Sequence, residues 1–108
     1  MIDVIKGLYE VALERKSTKQ EGSYTCYLFE QGLDKILKKC GEECSEVIIA
    51  AKNGKNEDTA NEICDLLYHL IVMMVESGIS MDEVEEILEQ RRQKIGNLKK
   101  FHVSDHES

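Results

Sequence analysis

The run Leu66-Leu67-Tyr68-His69-Leu70-Ile71-Val72-Met73-Met74-Val75 is apolar on every face of a helix except at His69. A helix of that kind has to be covered on all sides. In a chain of 108 residues, which makes a single domain, three short neighbours have too little surface for the task, and the remainder is expected to meet a second subunit. The segment that opens this helix carries Glu62 and Asp65, three positions apart and therefore on one face. They are drawn toward the shared interior, where a charge must be paired, protonated or bound to metal.

A second acidic motif, Gly41-Glu42-Glu43-Cys44-Ser45-Glu46, precedes the first and places Glu43 beside Glu46 on its own helix. Taken alone it reads as a solvated face, the ordinary position of acidic pairs in a chain that is 32% charged. The two motifs together change that reading. Two such helices packed side by side would converge four carboxylates, whose mutual repulsion is relieved by a hard cation that prefers oxygen ligands. Glu43, Glu46, Glu62 and Asp65 are accordingly candidate ligands for Mg²⁺.

Proline is absent, and the Glu, Lys, Leu and Ile content favours helices joined by Gly or Asn turns. The periodicity predicts an amphipathic helix over residues 2–15, then a polar, Gly22-containing loop over 17–27. In that loop Ser23, Tyr24 and Thr25 offer three consecutive hydroxyls, suited to phosphate oxygens or to capping the next segment, with capping favoured by the local sequence. Gly32 marks a turn. A helix over residues 34–52 carries the stripe Leu33, Ile36, Leu37, Cys40, Cys44, Val47, Ile48 and Ala51, with Glu43 at its border and Glu46 a little beyond. Asn53-Gly54 ends it, Asn56 caps the next helix, and that helix runs to about residue 77. The short connection makes the two motif-bearing helices antiparallel neighbours. Ser80 and Glu83 form a capping box for a last helix through about residue 94, whose Arg91, Arg92 and Lys94 complement the helix dipole. The expected architecture is an all-α antiparallel bundle of four to five helices over residues 1–95, completed by homodimerisation. A polar C-terminal tail is expected over 96–108, where His102, Asp105 and His106 read as a frayed terminus before they read as a metal site.

The formal net charge of −7 argues against a nucleic-acid-binding module. A phosphorylated ligand would need local help from metal and from the clustered Lys35, Lys38 and Lys39. Cys26, Cys40, Cys44 and Cys64 lack Cys-x-x-Cys spacing and are expected to be reduced and buried. A soft metal between Cys40 and Cys44 is disfavoured by the acidic neighbours. No stretch reaches the ~20 apolar residues of a membrane span and no signal peptide is evident, which points to the cytoplasm with no membrane partner.

Glu-Glu-x-x-Glu followed by Glu-x-x-Asp resembles the all-α nucleotide pyrophosphohydrolases of the MazG-like group. The wider context, Ser23-Tyr24-Thr25, Gly32-Leu33-Asp34-Lys35-Ile36-Leu37-Lys38-Lys39, Ala50-Ala51-Lys52-Asn53-Gly54 and Asp65-Leu66-Leu67-Tyr68-His69-Leu70, is similar to the phosphoribosyl-ATP pyrophosphatase family of histidine biosynthesis. That resemblance implies Mg²⁺-dependent attack of water between the α and β phosphates of 1-(5-phosphoribosyl)-ATP, in a helical dimer. It implies Glu43, Glu46, Glu62 and Asp65 as metal ligands and Glu42 as a residue that supports them or orients water. Lys35, Lys38, Lys39, Lys52 and Tyr24 become candidates for binding substrate. Cys44 and Cys64 depart from the small residues common at their positions, and the cyclohydrolase domain fused to some relatives is not expected to be part of this protein. The rival readings are a house-cleaning pyrophosphatase acting on non-standard nucleotides and a non-catalytic dimerisation module.

Overall fold

The computed structural model describes residues 2–96, and over them the chain is five α-helices with no strand: α1 (Ile2–Ser17), α2 (Tyr24–Gln31), α3 (Leu33–Asn53), α4 (Asn56–Ser77) and α5 (Met81–Gly96). The tail expected from residue 97 onward, with His102, Asp105 and His106, lies outside the described residues.

Two turns fix the course of the chain, and both are made by glycines in the left-handed region, where a side chain would be strained. Gly54, at φ 78°, ends α3 and donates its N–H to the Ala51 carbonyl. Gly78, at φ 75°, ends α4, and the following Ile79 N–H bonds the Met74 carbonyl at 2.9 Å. Only Gly54 and Lys55 separate α3 from α4, so the two long helices fold back on each other and make the most extensive helix contact in the chain.

The expected start of α4 is displaced by one position. Lys55 stands at the cap without a side-chain bond and Asn56 is already helical, while Glu57 and Asp58 occupy the first turn as the helix dipole favours. The loop expected over residues 17–27 is also shorter than its sequence indicates, because α2 begins at Tyr24. Ser23 caps it, its Oγ accepting the Cys26 N–H at 3.1 Å. Burial of Cys26 and Leu28 anchors these two turns, too few for periodicity to register.

Two apolar clusters hold the helices together. Ala12, Ile71 and Val75 join α1 to α4, with Ile5, Tyr9 and Phe29 packed against them. Leu28, Ile36 and Val72, all fully buried, join α2, α3 and α4. α4 therefore supplies both clusters, yet the all-round burial expected of residues 66–75 is incomplete within one chain: Leu67 is exposed, as is Ile63 a turn earlier. On α3 the buried side is Ile36 and Glu43 with half-buried Cys40 and Val47, whereas Leu33, Leu37, Cys44 and Ile48 from the expected stripe face outward. The apolar band is wider than one neighbouring helix covers.

α5 turns away by 117° from the line of α4 and packs only lightly on the remainder. It is fastened by the Tyr9 hydroxyl donating to the Ile79 carbonyl at 2.9 Å and by Lys6 pairing with Glu85 at 3.5 Å. The expected capping box is present: the Glu83 N–H donates to Ser80 Oγ at 3.1 Å, and the Ser80 N–H donates to Glu83 Oε1 at 3.3 Å. No single helix among the described residues is long and apolar enough to cross a membrane. Replacing Ile36 with Ala should cost about 2–5 kcal/mol of unfolding free energy, and Ser80→Ala only about 1 kcal/mol. Urea denaturation followed by circular dichroism measures both, and equal losses would contradict the core assignment.

Candidate active site

The antiparallel pairing of α3 and α4 sets the two acidic motifs against each other. One carboxylate oxygen each from Glu43, Glu62 and Asp65 lies within 4.8 Å of the others. The three grade from interior to solvent, Glu43 buried, Glu62 half-buried and Asp65 exposed, so the cluster forms a mouth in the helix seam. This differs from the expectation that both residues of the second motif enter the interior. Asp65 shares the azimuth of buried His69 and Val72, and its exposure comes with its place in the N-terminal half of α4, most of which is exposed.

The electrostatics of the cluster are unbalanced. Lys39 Nζ stands 3.5 Å from Glu43 Oε1 and 3.5 Å from Glu42 Oε1, one ammonium shared between two carboxylates. Burial opposes the charge on Lys39, but Tyr24, Glu42 and Glu43 outweigh it, and the ammonium pKa lies above its ordinary value. Glu43 Oε2 and Glu62 Oε2 are both buried and have no hydrogen-bond partner. Buried acceptors without donors are costly. A hard divalent cation coordinated by Glu43, Glu62 and Asp65 would satisfy both orphaned oxygens and offset the repulsion, so the donor set fits Mg²⁺.

Glu46 is not part of this three-residue cluster. It is exposed and lies farther along the seam, where it shares a shallow cleft with Glu62, Asn53, Asp58 and Asn61. Of the four candidate lysines, Lys39 is the one that an ion pair ties to the acidic motif among the described residues. Lys35 is half-buried one turn before it on α3, and Lys38 and Lys52 are exposed.

Beside the carboxylates lies a group of rings whose joint role the sequence does not disclose. His69 is buried, one turn beyond Asp65. Its Nδ1 is 2.8 Å from the Asp65 carbonyl oxygen, which can only accept, so Nδ1 carries the proton and donates. Nε2 of the neutral ring is then an acceptor and takes the Tyr24 hydroxyl hydrogen at 3.2 Å. Tyr24 and Tyr68 each meet the His69 ring edge-on, and Tyr24 also stacks with Tyr27 and Tyr68. The three hydroxyls at 23–25 are thereby used: Ser23 caps α2, Tyr24 holds His69, and Thr25 hydrogen-bonds Tyr68. Burial pushes the Tyr24 phenol above its usual pKa, Glu43 adds to this and Lys39 works against it. The one signal for His69 in the sequence is its position as the only polar side chain in an apolar run.

Five helices with carboxylates converging across an antiparallel pair form an all-α bundle with a donor set suited to a divalent cation, and comparison with known proteins gives its family. Residues 5–92 match the family model described as phosphoribosyl-ATP pyrophosphohydrolase, and the chain belongs to that family. Among its curated relatives are the phosphoribosyl-ATP pyrophosphatase of Clostridium botulinum (strain Hall), 58% identical over 90% of this chain and 88% of that protein, and that of Clostridium novyi, 53% identical over 91% and 89%. The phosphoribosyl-ATP pyrophosphatase of Streptococcus sanguinis is 52% identical over 95% of this chain and 99% of its own length.

Tyr24→Phe should cost about 1 kcal/mol of stability, because it removes one hydrogen bond and leaves His69 Nε2 without its donor. Chemical denaturation should show this loss, and an unchanged midpoint would mean that the phenol does not hold the ring.

Proposed function

We propose that this chain hydrolyses 1-(5-phosphoribosyl)-ATP to 1-(5-phosphoribosyl)-AMP and pyrophosphate, a step of L-histidine biosynthesis, as a cytoplasmic, Mg²⁺-dependent homodimer. The observation that carries the reading is the pair of buried, unpartnered oxygens on Glu43 and Glu62, with Asp65 closing the same site. Family membership supplies the substrate.

Glu43, Glu62 and Asp65 would hold Mg²⁺, with Glu46 positioned to join from the solvent side. The cation would supply charge neutralisation at the triphosphate and a bound water of lowered pKa. Glu42, paired with Lys39 at 3.5 Å, would orient the attacking water. Lys39 is shared loosely between two carboxylates, and it can turn to a phosphate oxygen once a cation takes over Glu43. Lys35, Lys38 and Lys52 add positive charge along the same helix and draw an anionic substrate toward a chain whose net charge is −7.

Exposed apolar side chains on the same two helices, Leu33, Leu37, Ile48 and Ile49 on α3 with Ile63 and Leu67 on α4, favour a second copy. Together with the lightly packed α5, they leave each protomer's core unfinished. Sedimentation equilibrium at micromolar concentration should therefore return a dimer, and a purely monomeric species would refute that part of the reading.

The activity is tested by pyrophosphate release from phosphoribosyl-ATP and from ATP across a Mg²⁺ titration, with thermal melting in parallel. The parent should prefer phosphoribosyl-ATP and should melt higher with Mg²⁺, a cation at 100 times its Kd being worth about 2.7 kcal/mol. Glu43→Gln, Glu62→Gln and Asp65→Asn should lose hydrolysis and the Mg²⁺ response while melting, without metal, at or slightly above the parent. A strong preference for a modified deoxynucleotide would assign a house-cleaning role. Activity without Mg²⁺ dependence, or none in the parent, would overturn the metal-hydrolysis reading.

A further inference from the structure

The hydroxyls of Ser23, Tyr24 and Thr25 are all engaged in protein hydrogen bonds, so this segment does not serve as a row of phosphate donors. What it offers instead is ring surface. Tyr24 is 46% exposed and Tyr27 is 41% exposed, on successive positions of one face of α2, and their rings stack with centroids 5.9 Å apart and planes 24° from parallel. Both line a cleft of about 440 Å³ between the residue 19–23 loop and α2, together with Gln20, Ser23 and Glu30. Openings of a few hundred Å³ walled by aromatic rings with a few polar groups are the usual form of a small-ligand site.

Two features connect this cleft to the carboxylates. The Tyr24 hydroxyl lies within electrostatic reach of Lys39 and Glu43. Its hydroxyl is pinned by His69, which is pinned in turn by the main chain of Asp65. The Tyr24 ring is thus tied by two hydrogen bonds to the residue at the mouth of the carboxylate site. An adenine stacked on these rings would leave its ribose and phosphates free to run toward Lys39 and Glu43. Stacking on a tyrosine face is tolerant of substitution on the base, which suits a purine bearing a second sugar.

We propose that Tyr24 and Tyr27 form a stacking shelf for the purine base of the substrate, and that His69 is a positioning residue that fixes the shelf relative to the carboxylate site. The inference rests on the phosphoribosyl-ATP reading. Gln20 and Glu30 border the cleft and supply a donor and an acceptor for the edge of the base. Glu30 is itself paired with Lys19 at 3.0 Å, which holds its carboxylate in place.

The chain has four tyrosines and no tryptophan, so its intrinsic fluorescence comes from tyrosine, and a base stacked on the shelf should quench it. Phosphoribosyl-AMP is titrated into the full-length protein in EDTA, and ribose 5-phosphate, which has no base, serves as the control. Quenching by the first and none by the second is expected. Tyr24→Leu and Tyr27→Leu should each weaken binding about tenfold or more and raise KM for phosphoribosyl-ATP similarly, with kcat within about twofold. Tyr24→Phe, which keeps the ring, should bind more tightly than Tyr24→Leu. His69→Leu should raise KM and leave kcat nearly intact, and His69→Gln, which retains an acceptor for the phenol, should recover part of the loss. Circular dichroism confirms that each variant is folded, and because Tyr27 is exposed, its variant tests the shelf even if Tyr24→Leu does not fold. Parental binding and KM in Tyr27→Leu, or equal losses in kcat and KM across the set, would overturn the shelf. Failure of the parent to release pyrophosphate would instead count against the proposed function.

Discussion

The structure turns on the placement of one carboxylate, that of Glu43, inside a helix seam. A buried charge is tolerated only with compensation, and here a shared lysine supplies it at one oxygen while the other has none. Glu62 and Asp65 arrive from the facing helix with the same sign and sharpen the imbalance. Antiparallel packing of α3 on α4 is therefore not electrostatically favoured at this level; it is driven by the apolar residues on either side. Val72, Ile36 and Leu28 are fully buried just beyond the site, and each such side chain contributes roughly 1.5–3 kcal/mol. The hydrophobic clusters hold together a pair of helices that their acidic turns would push apart, and a cation-sized demand for positive charge is the result.

Much of this arrangement can be read from sequence alone. The four longer helices, the Gly54 and Gly78 stops, the Ser80–Glu83 box and the convergence of two acidic motifs follow from periodicity and turn chemistry. The departures have physical causes. α2 escapes periodicity because its eight residues complete little more than two turns, and it persists through burial of Leu28 and the Ser23 cap. Glu46 pairs with Glu43 in sequence because residues three apart share a face, yet a difference in azimuth of about 60° separates a residue in the seam from one on its rim. Cys44, expected inside, is exposed, since the buried side of α3 is centred on Ile36, Cys40 and Glu43 and not on the broader apolar stripe.

The ring cluster belongs to a different category. Histidine in an apolar run can be recognised as unusual, but its partner Tyr24 comes from α2, across 45 positions of chain, and no local pattern announces it. The tautomer depends on the Asp65 carbonyl being in place, because a main-chain oxygen cannot donate and so fixes which nitrogen carries the proton.

That tautomer also determines what Tyr24 can offer. A phenol whose hydrogen is committed to His69 retains only lone pairs and a ring face, so its side of the site suits an aromatic base far better than a phosphate. On the proposed function, phosphate recognition would fall to α3, where Lys39 stands among carboxylates that would repel an unaccompanied triphosphate. The two halves are joined at Asp65, whose side chain faces the acidic cluster while its carbonyl holds the histidine. A rotation of α4 that disturbed the carboxylates would therefore also release the ring. The position of the base relative to the carboxylate site is the quantity such a linkage would hold constant, and a shelf fixed in that way acts on how the substrate binds, ahead of the chemical step.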